Sequence, residues 1–312
     1  MGGGGAYTPF SPRRTPEQIS QRIREEEAKA AAASFNSELG QFINNQLAKF
    51  NSRDVELVSE RLDSLLDTIK DKLDISVNTL FGGSVAKHTY VDGLSDIDSM
   101  LVINDSALTE KTPSAILELL TRTLKSTYTQ AAKIDHGKLA ITVDFSDGMS
   151  IQLLPTIKSE HGLRISSEDG NKWSSINPSK FQELLTKRNY ECASKLIPTI
   201  KIVKSIIGTL PEARQLSGYH IESLSINIFK NYNGAKTCQE MVNNFFEKAR
   251  DAILKPIRDK TGQSIHVDDY LGQENSSARI EASHLLGRLH KRILNANAAA
   301  SINMWEVILG ID

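Results

Sequence analysis

Asn78-Thr-Leu-Phe-Gly-Gly-Ser84 and, after eleven intervening residues, Asp96-Ile-Asp-Ser-Met-Leu-Val-Ile103 read as a short strand, a glycine turn and a second strand entered through two carboxylates. Glycine lets a backbone approach an anion closely, and Ser84 adds an N–H and a hydroxyl, so Gly83 and Ser84 are candidates for cradling a phosphate. Asp96 and Asp98 are two apart, and at the start of a strand alternate residues face one side. Ile97 and Met100 are expected to point into the core from the other face. Two carboxylates on one face repel unless a cation lies between them, and hard divalent cations take oxygen ligands. A lone Asp-x-Asp before a strand ordinarily decorates a loop. Here the Gly-Gly-Ser turn before it and the apolar strand after it favour a site.

Working outward, residues 1–14 read as a disordered, glycine-rich lead. Thr15, Pro16 and Gln18 have the spacing of a capped helix start. The Glu-, Arg- and Ala-rich segment that follows is a helix former to about residue 34, continued or restarted through Phe35, Leu39, Phe42, Ile43 and Leu47. A second helix spans about 55–73, with Leu57, Val58, Leu62, Leu65, Leu66 and Ile69 on its buried stripe. Residues 113–128 form a third. Residues 138–145 and 149–154 are two strands joined through Ser146-Asp147-Gly148, the second closed by Pro155. Helices are placed near 179–208, 219–232, 237–254, 276–296 and 301–309. Helices gathered around one small sheet predict an α+β fold rather than a doubly wound one. The expected division is N-terminal helices plus a catalytic core over 15–175, and a C-terminal helical domain over 176–312.

Composition narrows the function classes. The chain has 312 residues and a net charge of −1, which argues against stable nucleic-acid binding, because phosphate coating leaves an excess of Lys and Arg. Two isolated cysteines, Cys192 and Cys238, give neither a zinc spacing nor a disulfide framework. No apolar run is long enough to span a membrane, and the N-terminus lacks a secretory pattern, so a cytoplasmic location is expected.

Gly83-Ser84, eleven residues and then Asp-Ile-Asp-Ser-Met-Leu-Val resemble the signature of the polymerase-beta-like nucleotidyltransferases. Three further segments narrow the likeness to the bacterial relatives of cyclic GMP-AMP synthase, the oligonucleotide cyclases of antiphage systems. These are Gly148-Met-Ser-Ile-Gln-Leu-Leu-Pro155, Leu196-Ile-Pro-Thr-Ile-Lys-Ile-Val-Lys204 and Leu216-Ser-Gly-Tyr-His-Ile-Glu222. The resemblance implies a nucleotidyltransferase core of small mixed sheet and helices, closed by a C-terminal helical domain. It implies NTP substrates, two Mg²⁺ or Mn²⁺ ions held by Asp96 and Asp98, and a cyclic di- or trinucleotide product in antiphage defence. Ser84 resembles the phosphate-contacting serine, Lys204 with Lys201 one turn earlier the triphosphate lysines, and Tyr219 the base-stacking residue. Regulatory or effector proteins encoded elsewhere are expected partners. The other readings are a transferase modifying a tRNA, a protein or a small molecule, and a catalytically silent nucleotide-binding module.

Two positions depart from the family pattern. Gln152 stands where a third carboxylate is expected. A three-residue hairpin loop over 146–148 would set Asp144 opposite Ser150, on the same face as Gln152, whereas a two-residue turn would put it on the other. Asp144 is therefore the candidate third metal ligand and general base, with Asp147 read as a turn residue. Gly218 stands where relatives often have Ser, leaving Ser217 as the candidate hydroxyl. Lys87 and His88 are open between substrate contact and loop, and Asp268 and Asp269 are read as a loop or helix cap.

Overall fold

The structure, a computed structural model, describes residues 15–50, 55–81, 87–89, 91, 97–129, 132–159, 162–167, 170–258 and 267–311. Helix α1 (Pro16–Lys49) is continuous, opened by the reciprocal Thr15–Gln18 capping box. Its first half is exposed and carries local pairs such as Arg22–Glu26, whereas Phe35, Leu39 and Ile43 are buried. Helix α2 (Val55–Leu73) buries Val58, Leu62, Leu65, Leu66 and Ile69 of the expected stripe, while Leu57 at its margin is half-buried.

Among the described residues seven strands form one mixed sheet: β1 (Val77–Phe81), β2 (Ile97–Ile103), β3 (Ala132–His136), β4 (Ile141–Phe145), β5 (Ser150–Ser159), β6 (Gly162–Ser166) and β7 (Trp173–Ile176). The order is β1-β2-β5-β4-β3, with β6 on β5 and β7 on β6. Of these pairs β2 and β5 run parallel and the rest antiparallel, and the chain between β2 and β5 carries α3 (Ser106–Thr109) and α4 (Pro113–Thr127). Leu101, Ile103, Ile141, Val143, Ile151 and Leu153 meet α2 and α4 in one core. Each such side chain contributes about 1.5–3 kcal/mol by leaving water.

Strand β5 continues through Pro155 to Ser159 instead of closing at the proline. On that edge β4 pairs as far as Leu153 and β6 begins at Thr156, so Pro155 falls in the gap between partners and its missing N–H costs no ladder bond there. Met100 also departs from expectation. It is one residue from core-facing Leu101 and pairs with Leu154, so strand alternation puts it on the face of position 98.

The C-terminal helices are α5 (Pro178–Glu191), α6 (Leu196–Gly208), α7 (Gly218–Ile228), α8 (Cys238–Ala252), α9 (Ser277–Ala298) and α10 (Ile302–Leu309). The single helix expected over 179–208 is two. Pro198 has no N–H and would clash with the carbonyl four residues back, and the chain turns through Ala193 and Ser194 at φ +51° and +60°. The side-chain oxygen of Asn189 accepts from the Ile197 N–H at 3.0 Å and stitches the break. Leu39, Phe181, Ile200, Val203, Leu224, Phe245, Phe246 and Trp305 belong to a second core, which therefore includes α1. Among the described residues no helix is long and apolar enough to cross a membrane.

Candidate functional site

The polar face of the sheet is built by register. Asp98 pairs with Gln152 across the parallel ladder, and Gln152 with Thr142 across the next. Asp144 pairs with Ser150, the outcome of the three-residue loop, and so shares the face of Gln152. The loop is held by Asp147, whose carboxylate takes two hydrogen bonds from Arg61 at 2.9 and 2.8 Å and one from the Met149 N–H. The Arg61 hydrogen bond, helped by that N–H, brings the Asp147 pKa down to about 2. Asp147 is thus a turn residue, and Asp144 is exposed at the end of β4, opposite Lys133 on β3.

Gly83, Ser84 and Asp96 lie outside the described residues, and Asp98 is described as a strand position only. Among the described residues no three His, Cys, Asp or Glu side chains converge. The donor chemistry still fits a hard cation: on this face the register groups positions 98, 142, 144, 150 and 152, whose residue types Asp, Thr, Asp, Ser and Gln all offer oxygen donors.

A second constellation joins residues 87–89 to α6 and α7. Tyr219 and Glu222 are three apart on α7 and so neighbours along one side of it. Tyr219 packs on Phe181 of α5 with ring centroids 4.7 Å apart. The Lys87 ammonium sits 4.8 Å from the Phe181 centroid and 5.1 Å from that of Tyr219, a cation–π arrangement with both rings. Glu222, 1% exposed, accepts from Lys87 and from the Thr89 hydroxyl, and from Lys204 at 2.8 Å. Burial alone would raise the Glu222 pKa, but the two ammonium groups outweigh it and hold it at about 2.

Lys201 and Lys204 are both buried on α6. Burial, with Lys204 one turn away, pushes the Lys201 pKa down. Ser217 caps α7, its oxygen accepting from the His220 N–H at 3.2 Å. Gly218 opens onto Lys204: a Cβ there would lie 3.4 Å from the ammonium nitrogen, an ordinary contact.

Sequence reasoning missed a network behind this cluster. His220, Asp268 and Arg279 are all fully buried. Arg279 donates to Asp268 at 2.6 Å and to backbone carbonyls of Ile253, Gly272 and Gln273. Asp268 stands at the cap position expected, before the 3-10 turn Asp269–Leu271, but its carboxylate is buried and turned to Arg279 rather than to the turn's own N–H groups. Its signal was an arginine on the apolar stripe of α9, between Ser276 and Ala282.

A family model for the Second Messenger Oligonucleotide or Dinucleotide Synthetase domain matches residues 34–189. The chain belongs to that family. Three solved structures illustrate the shared fold. Vibrio cholerae DncV cyclic AMP-GMP synthase is 11% identical, with TM-score 0.62, over 95% of this chain and 91% of that one. Escherichia coli MS115-1 CdnC, solved with ATP, is 16% identical, with TM-score 0.60, over 90% and 97%. The Elizabethkingia meningoseptica CdnE cyclic dinucleotide synthase, solved with GTP and Apcpp, is 14% identical, with TM-score 0.56, over 72% and 89%. Comparison with curated proteins gave no match. At such identities the likeness is one of fold, and the synthetase family is carried by the domain match.

Proposed function

We propose that this synthetase-family protein is a metal-dependent nucleotidyltransferase that joins NTPs into a cyclic di- or trinucleotide, releasing pyrophosphate, as a signal in antiphage defence. The observation that carries the reading is the register of β2, β5 and β4, which brings position 98 and Asp144 to one face across Gln152. Adjacent strands lie about 4.8 Å apart, and Asp144 stands two residues, about 6.8 Å, along β4 from Thr142, the position in line with 98, so the two positions are roughly 12 Å apart on one face, within the reach of two aspartate side chains and a pair of cations about 3.5–4 Å apart.

Asp96 and Asp98, with Asp144 as third ligand, would hold two Mg²⁺ or Mn²⁺ ions. Such ions supply charge neutralisation at the α-phosphate and at the leaving oxygens. Gly83 and Ser84 would cradle the triphosphate, and Lys201 and Lys204 would place positive charge beside it. Tyr219 would stack a base, and Ser217, the helix cap two residues before it, would supply a hydroxyl. Asp144, exposed at the strand end, would accept the proton of the attacking ribose hydroxyl. The hydroxyl oxygen forms a bond to the α-phosphorus, the bond from that phosphorus to the pyrophosphate oxygen breaks, and pyrophosphate departs. A second such step closes the ring. Nearly all of the catalysis is positioning and charge.

The chain supplied with NTPs and Mg²⁺ or Mn²⁺ should release pyrophosphate and form a phosphatase-resistant oligonucleotide. Asp98→Asn and Asp144→Asn should each lower the rate by a factor of roughly 100 or more, as removal of a group that stabilises developing charge does. An Asp144→Asn variant as active as wild type would remove Asp144 from the site. Gln152, neutral where a carboxylate is expected, favours one other reading, a module that binds nucleotide without turnover. Calorimetric NTP binding with no product under either metal would establish it.

A further inference from the structure

Glu222 belongs to none of the roles above, yet it is the most heavily engaged buried carboxylate beside them. One of its oxygens accepts from both Lys204 and the Thr89 hydroxyl, and the other from Lys87. Thr89 is fully buried and its backbone carbonyl also accepts from Lys204 at 3.1 Å. With the Thr89 hydroxyl oxygen at 3.4 Å, all three hydrogens of the Lys204 ammonium have acceptors inside the protein. His88, between the two clamped residues, holds φ +57°, a conformation that a non-glycine residue keeps only where its surroundings fix it. Val91 is fully buried just beyond. Replacing a buried ion pair with apolar residues of similar volume is often neutral or stabilising, so stability alone gives little reason for a carboxylate between two lysines.

We propose that Glu222 is a positioning residue of the nucleotide site. It locks the segment that follows the Gly-Gly-Ser stretch onto α6 and α7 and so fixes where the Lys87 and Lys204 ammoniums stand relative to the Tyr219 ring. This rests on the reading of the site as one for NTPs. Lys204 then acts as a fixed charge, and it can donate directly to a phosphate only by giving up one of its three internal acceptors. Lys87, held against two aromatic faces, ties the phosphate side of the site to the base side.

The test compares the full-length wild type with Glu222→Gln, which keeps the shape and removes the charge, and Thr89→Val, which removes the hydroxyl's hydrogen bonds to Glu222 and from Lys204 and keeps both ion pairs. Amide exchange read by mass spectrometry should speed up around residues 87–91 in Glu222→Gln, and less in Thr89→Val, while the β4–β5 hairpin stays as in wild type. Affinity for a non-hydrolysable ATP analogue and KM for NTP should worsen by about tenfold to a hundredfold in Glu222→Gln, the scale of a small misplacement in a site. If Glu222→Gln does not fold, Thr89→Val carries the same comparison, in the same direction and smaller. Unchanged exchange at 87–91 overturns the lock. Faster exchange with wild-type affinity and KM overturns the positioning role, as would tighter binding, which would make Glu222 a competitor of the phosphates. Failure of wild type itself to bind or turn over NTP removes the nucleotidyltransferase reading and the positioning role with it, and a change in exchange alone would then leave a purely structural lock.

Discussion

Lowering the pH from about 7.5 to about 5 should cost this protein about 2 kcal/mol of folding stability through His220 alone. The ring is fully buried. Its Nδ1 pairs with the Tyr270 hydroxyl at 2.8 Å, and its Nε2 has no hydrogen-bond partner among the described residues. The nearest carboxylate, Asp268 at 3.6 Å, is already committed to Arg279 and to the Ile257 N–H. Burial therefore dominates, and Arg279 offsets much of the help Asp268 would give: the pKa falls from 6.5 to about 4. The native state keeps a neutral ring while the unfolded chain takes up a proton below pH 6.5. Stability from this group is thus complete above 6.5 and drains away as the pH falls towards 4. At pH 5 the unfolded state is favoured by a factor of about 30, which is the 2 kcal/mol, and by pH 4 and below the loss approaches about 3 kcal/mol. Urea unfolding of wild type and His220→Gln at both pH values isolates it from the other histidines. His220→Gln should be weaker at pH 7.5 and show a pH dependence smaller by about 2 kcal/mol. Parallel pH dependences in the two proteins would refute a buried neutral ring.

Three further outcomes follow from the same contacts. Arg279→Met strands the Asp268 carboxylate in the interior and should cost about 3–5 kcal/mol, read as a fall in unfolding midpoint, and a cost below about 1 kcal/mol would deny the pair its place in the core. Tyr219→Ala should weaken nucleotide affinity by the worth of one stacked base, about 1–3 kcal/mol, while Tyr219→Phe retains it, and equal affinity in Tyr219→Ala would take the ring out of the site. Gly218→Ser should be tolerated within about 1 kcal/mol, because the new Cβ meets Lys204 at ordinary contact distance and stiffens the unfolded chain, and a larger loss on thermal unfolding would mean that the ammonium cannot shift.

The sequence carried the sheet face further than the cluster beside it. Loop length alone set Asp144 opposite Ser150, because strand alternation converts a count of turn residues into a choice of face. The stripe of α2 and the capped start of α1 were legible for a similar reason, being periodic or local signals. Strands β3, β6 and β7 were not, since half-buried strands at a sheet margin carry weak alternation. Glu222 was quoted within a motif but given no role. Its partners at 87, 89 and 204 come from two other parts of the chain, and nothing periodic links them. The available signal was a carboxylate between Ile221 and Leu224, on a helix otherwise fit for a core, which requires cations from elsewhere.

The parallel pairing of β2 with β5 has a consequence for the chain as it is made. Position 97 pairs with Ile151 and Ile103 with Ile157, so the strand bearing Asp98, already flanked by β1, gains its second neighbour only after α3, α4, β3 and β4 have all been synthesised. Contacts so distant in sequence form late, because loop closure must precede them. A nascent chain that has emerged only as far as the β4 strand already contains every residue of the Gly-Gly-Ser and Asp-x-Asp stretches, but not the strand that joins position 98 and Asp144 on one face. A half-made copy, or a fragment ending before β5, therefore has no assembled polar face.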